Sequence, residues 1–161
     1  METVLLALNG WLQSIGIVDW ARGSASVYPI ANVFHVLGVV MLVGAIGVVD
    51  LRIVGAWRQL PLEPLSNALT PVAVVGLLVQ FASGLVLFAA DGEALAGSTT
   101  FHAKLILLAL ALANALSFRF RWRRSRPGEL SLPSALERAS ALLSLVLWVC
   151  IAMLGRLIAY Y

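Results

Sequence analysis

From Leu65 to Ala90 the chain runs 26 residues without one charged side chain. About 20 mostly apolar residues in a helix cross the roughly 30 Å hydrocarbon core of a bilayer. Three more segments meet that requirement. Tyr28–Val54 is free of charge until Asp50, Thr99–Phe118 carries only His102 and Lys104 near its start, and Leu136–Tyr160 is uncharged from Ala139 to Gly155 before Arg156. The strict alternation of a membrane barrel strand is absent. With 61% of 161 residues hydrophobic and 12% charged, the chain has too little polar surface for a soluble fold of its size. The expectation is an all-α integral membrane protein. Residues 23–161 would form a four-helix transmembrane domain, with spans at about 28–54, 65–90, 99–118 and 136–160.

Residues 1–22 are apolar but broken by Asn9, Gly10, Gln13 and Gly16. Leu5, Leu8, Leu12 and Ile15 share one helical face while Asn9 and Gln13 fall on another, so this stretch is expected to be an amphipathic helix in the interface, anchored by Trp11 and Trp20. No basic residue precedes the apolar run and no small-x-small site follows it directly, which disfavours a cleaved signal peptide.

The charges that remain set the orientation. Five of the eleven basic residues lie between Arg119 and Arg126, Arg52 and Arg58 flank the first loop, and Asp91 and Glu93 mark the second. By the bias of Lys and Arg toward the cytoplasm, the first and third loops face inward and both termini outward, into the periplasm if the membrane is a bacterial inner membrane. The net charge of +3 therefore reads as topology and contact with anionic lipid, not as a nucleic-acid surface. The one cysteine, Cys150, excludes an internal disulfide and a cysteine-built metal cluster. No nucleophile–base pair, phosphate loop or carboxylate dyad lies in the spans, so an independent enzyme is not expected. Asp50 with Arg52 reads as the end of the first span.

The remaining polar groups fall at one depth. His35 stands 17 residues before Arg52, His102 stands 17 before Arg119, Arg156 stands 18 after Arg138, and Gln80 stands 17 after Glu63. At 1.5 Å per residue each lies about 25–27 Å above the arginine-rich boundary. Polar side chains at that depth are costly and default to a functional role. Two histidines on separate helices predict a ligand pair for haem iron or copper. For haem b, His35 and His102 would be the axial ligands. Gly38 would make room for the macrocycle, Phe34, Leu37, Phe81, Leu105 and Ile106 would wall it, Arg156 would hold a propionate, and Asn32 would orient the imidazole or cap a propionate. Each residue also has a plainer role. Either histidine could serve a helix–helix hydrogen bond, the glycines could permit close packing, and Arg156 could snorkel to the headgroups. Lys104 lies about 200° round the helix from His102 and is expected to snorkel outward or pair with a neighbouring helix.

The stretch Ser26-Val27-Tyr28-Pro29-Ile30-Ala31-Asn32-Val33-Phe34-His35-Val36-Leu37-Gly38, continuing through Gly44 to Asp50-Leu51-Arg52 and Gly55, together with Phe101-His102-Ala103-Lys104-Leu105, resembles a bacterial family of small four-helix membrane proteins of unknown function. More distantly it is similar to the haem-b-containing membrane protoporphyrinogen oxidase family, with Asp50-Leu51-Arg52 standing where that family has Pro-Arg. It is also similar to the CopD-like copper-resistance membrane domain. The resemblance implies haem association at His35 and a His-x-Lys motif at His102 and Lys104. Three functions follow as expectations. The first is a b-type haem electron-transfer or redox subunit, serving a quinone or a periplasmic partner. The second is copper binding or transport, and the third is a structural subunit of a homo-oligomer or a larger membrane complex.

Overall fold

The structure, a computed structural model, describes residues 1–125 and 133–158. It contains six helices and, among the described residues, no strand: α1 (Glu2–Ser14), α2 (Ile17–Gly23), α3 (Val27–Val54), α4 (Leu62–Gly97), α5 (Thr99–Ser125) and α6 (Ala135–Leu157). Helices α3 to α6 are each long and apolar enough to cross a bilayer. In hydrocarbon a helix satisfies its own backbone groups, so this architecture suits the composition. The chain is a multi-pass membrane helical bundle.

Helices α3 and α4 form the most extensive contact, α6 packs on α3 and α5, and α4 barely meets α5. Leu42 of α3, Ala73 of α4, Ala111 of α5 and Leu147, Trp148 and Ile151 of α6 belong to the central cluster. The α3–α4 contact is nearly backbone on backbone. A Cβ on Gly38 would stand 2.9 Å from the Gly76 carbonyl oxygen, and one on Gly76 would stand 2.6 Å from the Leu42 nitrogen. Both glycines are therefore occupied by helix packing, the small-residue interface that replaces the hydrophobic effect between helices in lipid. Gly38 does not make room for a ligand, contrary to the expectation from its place one turn below His35.

Helix α4 is straight only to Ala90. Asp91 has φ −122° and ψ 22°, and the chain turns there before continuing to Gly97. Such a break frees carbonyls of the preceding turn, and Arg22 donates from Nε to the Ala90 carbonyl at 2.7 Å. The N-terminal segment is thus a clamp on the kink. It is not one helix but two, bent by 81° at Gly16, whose φ of +77° is open to glycine at little cost. Its buried face is Leu5, Asn9 and Leu12, while Leu8 and Ile15 are exposed. That corrects the face expected from the apolar spacing: Asn9 is turned inward, its side chain lying over Gly92 where a Cβ would stand. Trp11 and Trp20 remain exposed.

At the other end, Arg52 closes the α3–α4 loop by donating to the carbonyls of Leu60 (2.7 Å) and Arg58 (3.0 Å). Helix α5 continues beyond Phe118 to Ser125, so the arginine run from Arg119 begins on a helix and not in a loop, while Arg126 lies outside the described residues. Likewise α6 ends at Leu157, short of Tyr160, which is also outside them. A capping box starts α6: the Glu137 N–H donates to Ser134 Oγ, and the Ser134 N–H to Glu137 Oε2. Asn114, Ser140 and Arg121 join α5 to α6 through three hydrogen bonds of 2.7–3.3 Å. Asp50 does not end α3, which runs to Val54; it is buried and accepts a hydrogen bond from Ser144 of α6.

Gly76→Val is expected to destabilise the bundle by about 1–3 kcal/mol, since overpacking at a backbone contact forces the helices apart. The same change at Gly44, where a Cβ would meet nothing within 4 Å, should cost less. Unfolding midpoints in a mixed-detergent titration check the difference.

Candidate functional site

Beyond the Gly38–Gly76 contact, α3 and α4 bring three polar groups together. Gln80, one turn along α4 from Gly76, donates from Nε2 to the His35 carbonyl at 2.7 Å. Ser83 Oγ lies 3.0 Å from His35 Nδ1 and donates its own proton to the Val79 carbonyl at 2.6 Å. A hydroxyl has one proton. With that proton committed to Val79, Ser83 can only accept from the imidazole, so Nδ1 carries the hydrogen. The lone pair is then on Nε2, on the side of the ring away from Ser83. The ring itself lies over Gly84, where a Cβ would stand 3.2 Å from Cε1. Ser83 and Gly84 were not singled out from the sequence; both stand within one turn of Gln80 on an intramembrane helix, and that proximity was the available signal.

His35 lines a cavity of about 690 Å³ between α3, α4, α5 and α6, a size usual for a small-molecule or cofactor site. Its polar lining includes Tyr28, Asn32, His35, Gln80, Asp91, Lys104 and Arg156, and Trp148 closes its deep end. Tyr28 donates a hydrogen bond to Asp91, so the start of α3 is tied to the kink of α4 across the cavity. Phe88 and Phe101, stacked at 5.9 Å between centroids, also line it.

Of the residues expected at one depth, His35, Gln80 and Arg156 do line this common cavity, together with Asn32 and Lys104. His102 is not among its lining residues, and its Nε2 is buried without a hydrogen-bond partner. Of the two α5 side chains, Lys104 lines the cavity, set against the neighbouring α6, and His102 does not. Their separation of about 200° is real, but the face turned to the cavity is that of Lys104, whose Nζ would stand 3.4 Å from a Cβ on Gly155 of α6. Lys104 does not snorkel outward. The expected walls are also corrected. Phe34, Leu37, Phe81 and Ile106 are exposed on the bundle surface, Leu105 packs elsewhere, and Val36, Val39, Leu87, Phe88, Phe101 and Ile151 enclose the cavity instead.

The chemistry on offer is specific. One neutral imidazole presents a fixed lone pair, two cations can meet carboxylates, and the walls are apolar. Among the described residues no group of three or more His, Cys, Asp or Glu is placed to hold a metal ion. Comparison with protein-family models, curated proteins and solved structures finds no match to this chain.

Ser83→Ala is expected to release the imidazole from its single tautomer. In the parent the ¹⁵N shifts of labelled His35 should be those of an Nδ1–H ring; in the variant the Nε2–H form should appear.

Proposed function

We propose that this protein is a b-type haem protein of the bacterial inner membrane, with one haem held toward the periplasmic side by His35. One observation carries the reading: a cavity of cofactor size, with apolar walls over most of its lining, holds a single imidazole whose tautomer is fixed by Ser83, with two cations and one carboxylate, Asp91, on the same lining. Bare copper or zinc needs several protein donors. Haem brings four nitrogens of its own and asks the protein for an axial donor, an apolar enclosure and partners for two propionates. His35 Nε2 would ligate the iron. Lys104 and Arg156 are the propionate partners, since charge-assisted hydrogen bonds to carboxylate are the strong ones. Ser83 raises the basicity of His35 by accepting from Nδ1–H, and Gln80 holds the His35 backbone in place.

His102 takes no part as a ligand in this arrangement, so the haem has one protein ligand. A bound haem supplies one-electron chemistry. With a single centre and no second histidine lower in the bundle, the protein exchanges electrons on one side of the membrane, with a quinone or a periplasmic redox protein as partner. The arginine-rich end of α5 faces the cytoplasm, and both termini are periplasmic.

The test is the absorption spectrum of protein purified from cells with an ample haem supply. A Soret band is expected in the parent and in His102→Ala, and its loss is expected in His35→Ala. Lys104→Met and Arg156→Gln should each weaken haem binding about tenfold, the loss of one charge-assisted contact. A parent without a Soret band overturns the proposal, and a band in His35→Ala overturns the ligand.

A further inference from the structure

The cavity is not evenly enclosed. Toward α4 and α5 its lining residues Phe88, Leu95, Phe101 and Lys104 are buried or half-buried, but Asn32, Val36 and Val40 of α3 and Ala152 and Arg156 of α6 are exposed while lining the same space. Val36 and Val40 keep 57% and 64% of their surface accessible. The gap has a geometric cause. Near the arginine-rich end α3 and α6 are drawn together, with Asp50 bonded to Ser144 and Leu145 beside Gly47. Toward the other end both helices line the cavity with exposed side chains. Val40 is at the midpoint of α3 (Val27–Val54), so the gap reaches into the hydrocarbon layer. Where α3 begins, Tyr28, Asp91 and Ala94 also line the cavity and are themselves exposed, so the gap runs on toward that end.

We propose that the cavity is loaded sideways from the bilayer, between α3 and α6, by an amphiphile carrying a carboxylate. Val36, Val40 and Ala152 form the passage, Arg156 at its rim meets the carboxylate first, and Lys104 receives it inside. An opening with apolar sides, at the depth of the acyl chains, admits a molecule already dissolved in lipid. Lys104 and Arg156 outnumber the one carboxylate on the lining, Asp91, and favour a molecule with an anionic head. Haem, an apolar ring with two carboxylates, belongs to this class; that identification rests on the function proposed above, whereas the route does not.

Trp148 reports the route without haem, because it is 5% exposed and lines the deep end of the cavity. The experiment takes the full chain with Trp11, Trp20, Trp57 and Trp122 replaced by Phe, in phosphatidylcholine vesicles, and adds dibromostearate, whose bromines quench indole on contact. Quenching of Trp148 is expected. The double variant Val36→Phe/Ala152→Phe should slow it about tenfold, and Arg156→Gln should weaken it about tenfold, the worth of one charge-assisted contact. Val33→Phe, exposed on α3 but away from the cavity, should leave it unchanged. The methyl ester of the same acid should quench weakly. No quenching by the acid, equal quenching by acid and ester, or equal rates in parent and double variant each overturn lateral loading. In a second arm, haem is donated from vesicles. A Soret band that grows about tenfold more slowly in the double variant supports the proposal, and equal rates overturn it. A parent that shows plug-sensitive quenching and no Soret band overturns the haem assignment and supports the route.

Discussion

The close approach of α3 and α4 at Gly38 and Gly76 sets the geometry of everything near the His35 end. Two helices whose backbones nearly touch have no slack in register. One turn beyond the contact, Gln80 must meet the His35 carbonyl; one turn further, Ser83 must meet the His35 ring. A side chain at either glycine would separate the helices and remove both hydrogen bonds together. The imidazole is thus positioned by residues that never enter the cavity, and its tautomer is decided by a hydroxyl already committed to its own helix.

The second constraint is the uneven packing of the other helices. Polar contacts join α3 to α6 and α5 to α6 near the arginine-rich end, through Asp50–Ser144 and the Asn114–Ser140–Arg121 group. Hydrogen bonds of this kind hold helices together where lipid is as apolar as the side chains. Pinned at that end, the helices are free to spread at the other, and the space they leave is the cavity. The clamp formed by α1 and α2 then secures the broken end of α4 through Arg22 and the packing of Leu5 and Leu12. Without it the carbonyl freed at the kink would lose its side-chain donor.

Depth was legible in the sequence and azimuth was not. Counting residues from charged boundaries works because the helical rise is constant, and it placed His35, Gln80 and Arg156 on what proves to be a common cavity. Which face of a helix turns inward depends on its neighbours. The moments that reveal this in a soluble helix are small when both lipid and core are apolar. So the spacing could not say which of Lys104 and His102, two residues apart, would line the cavity, and Asn9 was placed on the exposed face of α1 when it is buried against Gly92. Gly38 shows the same limit, since a missing side chain can be filled by a ligand or by a helix, and only the position of α4 decides.

That Lys104 and not His102 lines the cavity changes the chemistry on offer. Two histidines facing each other would saturate a haem iron and leave the propionates to one arginine. On the haem reading, one histidine with a lysine and an arginine on the same lining would supply one protein ligand and a cation for each propionate. The exposed side chains of Asn32, Val36 and Ala152 leave that side of the chamber open on the bundle surface. The same few side chains that decide how the cavity is filled therefore also decide what can reach its centre.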